Sequence, residues 1–153
     1  MTGEVIVRPA AIGDAHEIAH LSGQLGYPVA GEAMAHRLKS ALARNDQLLL
    51  VAEIGGKVGG WLQAQSAEII ESGFRVEIVG LIVDENMRRR RAGRRLVQEI
   101  ERWAASLGAQ TVVVRTNVSR AESHIFYGAL GYRHTKTQHV YRKVLNKPEE
   151  PGA

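Results

Sequence analysis

The sequence predicts an α/β protein in which a central mixed sheet is flanked by helices, and three observations predict it. Segments with an apolar period of two and segments with a period near 3.6 follow one another along the chain. Pro9, Gly26, Pro28, Gly55, Gly56, Gly108 and Gly131 mark ends of those segments. Strands outnumber helices and their order is mixed, so the helices must cover a sheet.

The first strand is read at Glu4 to Arg8, stopped by Pro9. Asp14, three residues before Glu17, gives a capping-box-like start to a helix that Gly26 and Pro28 end. Its apolar face is Ile18, Leu21 and Leu25. A second helix is predicted over Glu32 to Ala43, with Met34, Leu38, Ala41 and Leu42 turned inward. Leu48 to Ile54, the Gly55-Gly56-Lys57 turn and Val58 to Gln65 read as a hairpin, and Phe74 to Val83 as a longer strand. From Ala92 to Leu107, the residues Ala92, Leu96, Val97, Ile100, Trp103, Ala104 and Leu107 form one helical stripe. Gly108 supplies the stop. Thr111 to Arg115 is a β-branched run that reads as a buried strand. A short helix at Ala121 to Leu130 ends at Gly131, and Tyr132 to Leu145 is expected to hold the last strands as a hairpin. Residues 1–145 are expected to form a single domain, and the Pro- and Gly-containing tail 146–153 to be disordered.

Composition narrows the function. A chain of 153 residues with 44% hydrophobic and 24% charged residues is that of a soluble globular domain with a sizeable core. No apolar run reaches membrane-spanning length, and the start MTGEVIVRPA lacks the layout of a signal peptide. The absence of cysteine excludes a disulfide framework, a thiolate metal site and a cysteine nucleophile, and a cytoplasmic address fits it. The histidines show no spacing that implies a metal site, and no local motif supports a Ser-His-Asp arrangement. The net charge is +4, but seven arginines lie between Arg88 and Arg102. That local patch points to an anionic ligand.

The segment LIVDENMRRRRAGRRL, Leu81 to Leu96, carries most of the functional information. A strand ending Leu81-Ile82-Val83 enters a turn bearing Arg88, Arg89, Arg90 and Arg91, then a helix with Gly93 in its first turn. Unpaired N–H groups at a helix start and the helix dipole favour phosphate there. Guanidinium forks match phosphate oxygens. A pyrophosphate-bearing cofactor is therefore expected. A solvated basic face or a nucleic-acid patch would also produce such a run.

With these residues in view the chain resembles the GNAT superfamily of N-acetyltransferases. The cofactor signature of that family, Arg/Gln-x-x-Gly-x-Gly/Ala, corresponds to Arg88-Arg89-Arg90-Arg91-Ala92-Gly93, with Arg91 in place of the middle glycine. Asn117, Ala121, Phe126-Tyr127 and Gly131-Tyr132 follow the family's downstream pattern. The opening Ile6-Val7-Arg8-Pro9-Ala10 with Asp14 looks like its first strand and helix. The resemblance implies a mostly antiparallel central sheet whose strands 4 and 5 splay to admit the pantetheine arm of acetyl-CoA. It implies acetyl transfer from acetyl-CoA to a primary amine by direct attack, with no metal.

In that reading Leu81, Ile82 and Val83 offer a strand edge to the cofactor. Arg88, Arg89, Arg90, Arg91, Ala92, Gly93 and Arg94 surround its pyrophosphate, and Asn117 is a further contact. Asn117 equally suits a turn or helix cap, and Gly93 equally suits close helix–sheet packing. Tyr127 is the expected proton donor to the departing thiolate, against the alternative of a core tyrosine paired with Phe126. Glu77 is the expected base for the amine, directly or through water, against the alternative of an exposed strand residue paired with Arg75 or a cross-strand cation. Tyr27 and Trp61 could line an acceptor pocket, with core packing the alternative for Trp61. Two further function classes remain: a catalytically weak acyl-CoA-binding regulatory domain, suggested by Arg91, and a nucleic-acid-binding basic domain. Nucleic acid and membrane are not the expected partners, and a homodimer is a family-level expectation. Small amines, aminoglycosides, amino acids and protein amines all stay open as acceptors.

Overall fold

The computed structural model describes residues 3–24, 26, 28–116 and 119–146, and of Arg89 only the backbone. The described residues fall into two compact units, one ending at Arg115 and one beginning at Thr116. The first contains β1 (Val5–Pro9), α1 (Ala15–Gln24), α2 (Gly31–Leu42), β2 (Gln47–Ile54), β3 (Lys57–Ile69), β4 (Gly73–Val83), α3 (Ala92–Ser106) and β5 (Thr111–Val114). The second contains α4 (Ala121–Ala129).

The five strands stand in chain order, β1-β2-β3-β4-β5. The first four pair antiparallel, which short turns permit. Gly55 and Gly56 connect β2 to β3 with φ values of 60° and 80°, the left-handed pair that a two-residue hairpin turn of matching twist requires. β5 lies parallel to β4, so the chain must cross over between them, and α3 is that crossover. The predicted mixed sheet flanked by helices is the observed one.

Two layers of helix cover the sheet. Ile18 and Leu21 of α1 and Leu38 of α2 cluster with Val51 and Ile82, and Trp61 packs against them. Val51, Trp61 and Ile82 are register partners across three strands, so they share one sheet face. Gly60, the neighbour of Trp61, faces the other way, and a Cβ there would lie 3.5 Å from Leu96 of α3. α3 therefore packs on the opposite face, with Ala92, Leu96, Val97, Ile100 and Ala104 buried. Its amphipathic stripe explains the burial, and the Ala109 N–H bonded to the Ala104 carbonyl closes the helix at Gly108 (φ 81°).

Several expectations are corrected. Asp14 does not open α1: it ends a short 3-10 turn, Ile12–Asp14, and its carboxylate turns back to the Ala11 N–H (2.7 Å) and to Arg8. The carboxylate thus caps the 3-10 turn that precedes α1 and at the same time accepts two charge-assisted bonds from Arg8. Leu42 and Leu107 sit at helix ends and are exposed, because the stripe leaves the sheet there. β3 runs on past Gln65 to Ile69, carried by pairing with Gly73–Val76 rather than by its own polar sequence. Residues 133–146 are exposed and carry no strand; within their unit no described strand offers them a ladder. The tail at 147–153 lies outside the described residues. Among the described residues no helix is long and apolar enough to cross a membrane.

Candidate functional site

β4 is paired on one side along its whole length and on the other only at its start. Its parallel ladder with β5 runs from Arg75–Thr111 to Ile78–Val114 and stops. At that point β4 also carries a bulge: Gln63 faces Gly80 while Ala64 faces Ile78, leaving Val79 without an opposite residue. A bulge bends its strand, and here it coincides with the parting of β4 from β5. Among the described residues no strand pairs with the outer edge of residues 79–83. Leu81, Ile82 and Val83 thus lie on an open strand edge.

That edge leads directly into the arginine turn. Asp84 caps a 3-10 segment, Glu85–Arg90, by accepting the Asn86 N–H at 2.9 Å, and its own N–H is held by the Gly59 carbonyl. Met87 lies against the bare backbone of Gly59, where a methyl group would collide with its sulfur. A glycine in mid-strand thereby seats the turn, a role that the Gly59-Gly60 pair signals in sequence. Arg88 Nε bonds the Val83 carbonyl at 3.3 Å, and Arg90, Arg91 and Arg94 are exposed. Ala92 and Gly93 are buried under α3.

Arg91 is the residue between turn and helix, with φ 63° and ψ 21°. It is the one non-glycine with positive φ among the described residues. A Cβ in that left-handed region costs on the order of 1–2 kcal/mol. The family pattern has glycine at this position, and the backbone explains why glycine would suit it.

Glu77 lies at the fork where β4 and β5 part. Its carboxylate is held on both sides: Arg75 Nη2 donates to Oε1 at 2.5 Å and Arg115 Nη1 to Oε2 at 3.0 Å. The ion pairing of the second alternative for Glu77 is present, with Arg75 on its own strand and Arg115 just past the end of β5, but the residue is buried and not exposed as that alternative had it. Arg75 also donates to Ser72 Oγ, while its Nε is buried with no acceptor among the described residues. The same sheet face carries Gln65, the partner of Glu77, and Gln63, whose amide bonds Gln47 at 2.9 Å. Sequence reasoning did not single out Arg115, although a cation directly after the β-branched run Thr111–Val114 is a readable signal; that strand, expected to be buried, has Thr111 exposed and its three valines only partly buried.

In the second unit Tyr127 is half-buried on α4, in edge-to-face contact with Phe126 (centroids 5.0 Å) and Tyr132 (5.7 Å). Burial pushes its phenol up to about 12, so the hydroxyl keeps its proton at neutral pH. The Tyr132 N–H bonds the Tyr127 carbonyl and closes α4 at Gly131. Asn117 and Tyr27 lie outside the described residues, as does the side chain of Arg89. Trp61 packs into the core, its ring 2.7 Å from where a Gly80 Cβ would stand.

Comparison with known proteins bears on the same elements. The sequence model of the acetyltransferase (GNAT) family matches residues 15–132. No curated protein sequence matches the chain. Among solved structures the chain is similar to the aminoglycoside N-acetyltransferase AAC(6')-Iy in complex with CoA, at 20% identity and a TM-score of 0.82 over 92% of this chain and 95% of that one. It is similar to the aminoglycoside 6'-N-acetyltransferase AAC(6')-Ih from Acinetobacter baumannii, at 18% identity and 0.81 over 93% and 99%. It is also similar to glucosamine-6-phosphate N-acetyltransferase from Arabidopsis thaliana, at 21% identity and 0.76 over 93% and 99%. At such identities the likeness is one of fold.

Proposed function

Because the chain belongs to the acetyltransferase (GNAT) family, we propose that it transfers an acetyl group from acetyl-CoA to a primary amine. The observation that carries this reading is the open edge of β4 after Ile78, running straight into the arginine turn and the start of α3. An open strand edge can receive amide groups as an added strand does. The residues suit the two chemically distinct parts of coenzyme A. Leu81, Ile82 and Val83 present main-chain partners to the pantetheine amides. Arg88, Arg89, Arg90, Arg91 and Arg94 supply guanidinium donors to the pyrophosphate, and Ala92 and Gly93 start the helix whose free N–H groups face it. Asn117 is retained as a further contact.

Bound acetyl-CoA supplies an acetyl thioester, and the chain's own groups handle the protons. An ammonium must lose its proton before the nitrogen can attack, and an ordinary lysine-like amine has a pKa of about 10.4. Glu77 is the proposed acceptor of that proton, through water. Its two oxygens each hold one guanidinium, but a carboxylate has about four lone-pair sites. Tyr127 is the proposed donor to the leaving sulfur. Burial that pushes the phenol up to about 12 keeps it protonated at neutral pH, which is the state a proton donor needs. The reading places the enzyme in the cytoplasm.

The clamped Glu77 and the left-handed Arg91 also favour a second reading, a domain that binds acyl-CoA and turns it over weakly. One experiment separates the two. Acetyl-CoA is incubated with amines of different classes, and free thiol is followed alongside the melting temperature. Thiol release that depends on an amine supports the transferase. A raised melting temperature with no release under any amine supports the binding domain, and neither effect overturns both.

A further inference from the structure

We propose that Arg115 and Arg75 form the acceptor-recognition site and that the acceptor carries an oxyanion, a carboxylate or phosphate, beside its amine. This deepens the transferase reading and rests on it. Four observations carry it.

The first is position. Arg115 is the first residue beyond the last β4–β5 rung, so its guanidinium and Glu77 meet at the mouth of the fork where the open edge begins. The second is charge. Two guanidiniums share one carboxylate, which leaves the cluster one positive charge in excess. The third is spare donor capacity. The Arg115 side chain is 56% exposed and spends one N–H on Glu77. Arg75 is 17% exposed and spends its terminal nitrogens on Ser72 and Glu77, so it holds the carboxylate in place while Arg115 offers the free donors. A guanidinium presents five donors in a planar fork that fits carboxylate and phosphate oxygens.

The fourth is what surrounds the cluster. On the same face the neighbours of Glu77 along the strands are Gln47, Gln63 and Gln65, which are neutral. Among these described strand neighbours a polycationic acceptor would meet one carboxylate, already shared by two arginines. An acceptor with both charges fits better: its oxyanion takes the free edge of Arg115 while its ammonium approaches Glu77, 3.0 Å from that arginine. The cluster thus distinguishes acceptors by the sign of the group beside the amine.

The test is calorimetric titration of the CoA-saturated protein with matched pairs. L-Alanine against L-alaninamide probes carboxylate, and glucosamine 6-phosphate against glucosamine probes phosphate. Kanamycin is the polycation. The anionic member of at least one pair should bind ten- to a hundredfold more tightly than its neutral partner, as a charge-assisted bond to an ion provides. Arg115→Gln should bring that ratio close to one, and Arg115→Lys should restore part of it. The proposal is overturned if neither pair is discriminated, if kanamycin binds more tightly than both anionic probes, or if Arg115→Gln leaves the ratio unchanged. Failure of the transferase reading looks different: anionic probes bind selectively, yet none releases thiol from acetyl-CoA. Should Arg115→Gln fold poorly, the wild-type ratios and Arg115→Lys decide alone.

Discussion

Replacing Arg91 by glycine should make the protein more stable and its hold on coenzyme A weaker. At φ 63° and ψ 21° the arginine Cβ crowds its own carbonyl, a cost of about 1–2 kcal/mol that glycine does not incur. Against this, glycine gives the unfolded chain extra freedom worth about 0.4–1 kcal/mol. The helix loses nothing at its start, since glycine caps well and Arg91 makes no side-chain cap bond. The net gain is about 0.5–1 kcal/mol. For a chain of this length that is a rise of roughly 1–4 °C in melting temperature. Urea unfolding with an unchanged m-value measures the stability directly. The second half of the prediction concerns the ligand. If the exposed guanidinium contacts phosphate, the CoA-induced rise in melting temperature shrinks in the variant even as the starting value climbs. A lower melting temperature in Arg91→Gly would refute the strain argument, and an undiminished CoA response would refute the phosphate contact.

Arg88→Ala combined with Arg89→Ala should remove most of the acetyl-CoA-induced rise in melting temperature, and a full rise would end the pyrophosphate assignment. Tyr127→Phe should lower kcat by about 10²–10⁴-fold with acetyl-CoA affinity nearly unchanged, checked by steady-state kinetics where chemistry limits the rate. The phenol is pushed up to about 12 in the folded chain against 10.0 for the ordinary group, so the unfolded state loses its proton first. Its contribution to stability is therefore complete below pH 10 and is lost as pH rises toward 12, a decline that Tyr127→Phe should lack in alkaline unfolding curves. Asp14 is held below the ordinary carboxylate value of 3.8 chiefly by its hydrogen bonds from Arg8 (2.9 Å to each oxygen), with a smaller contribution from the Ala11 N–H. Asp14→Asn should cost about 2 kcal/mol at neutral pH. That deficit should persist above pH 3.8 and shrink as pH falls through the lower folded value; a deficit independent of pH would show the ion pair to be irrelevant.

What the sequence by itself determined is what local chemistry encodes. The 3.6-residue stripe of α3, the Gly55-Gly56 turn and the Gly108 stop all depend on residues within a few positions, and each formed where the pattern put it. The arginine turn between β4 and α3 was legible for the same reason, a strand running into a helix start. The mixed sheet followed from counting such elements.

Tertiary structure alone decided what depends on register and on neighbours distant in sequence. Glu77 and Arg115 are 38 residues apart, and only the parallel pairing of β4 with β5 brings their charges to 3.0 Å. Asp14 follows helix-start statistics, yet it caps the turn before α1 rather than α1 itself, and only the tertiary structure adds Arg8, from a strand beside it, to both oxygens. The predicted strand stops at Gln65, yet pairing with Gly73–Val76 of β4 carries β3 on to Ile69. Tyr132 to Leu145 read as strands, yet with no described ladder partner in their unit they form none. A strand is half a structure: its backbone donors and acceptors are satisfied by another chain segment, so its existence is settled by the partner and not by its own residues. A helix satisfies its own backbone, which is why α3 could be read from its sequence and the fork at Glu77 could not.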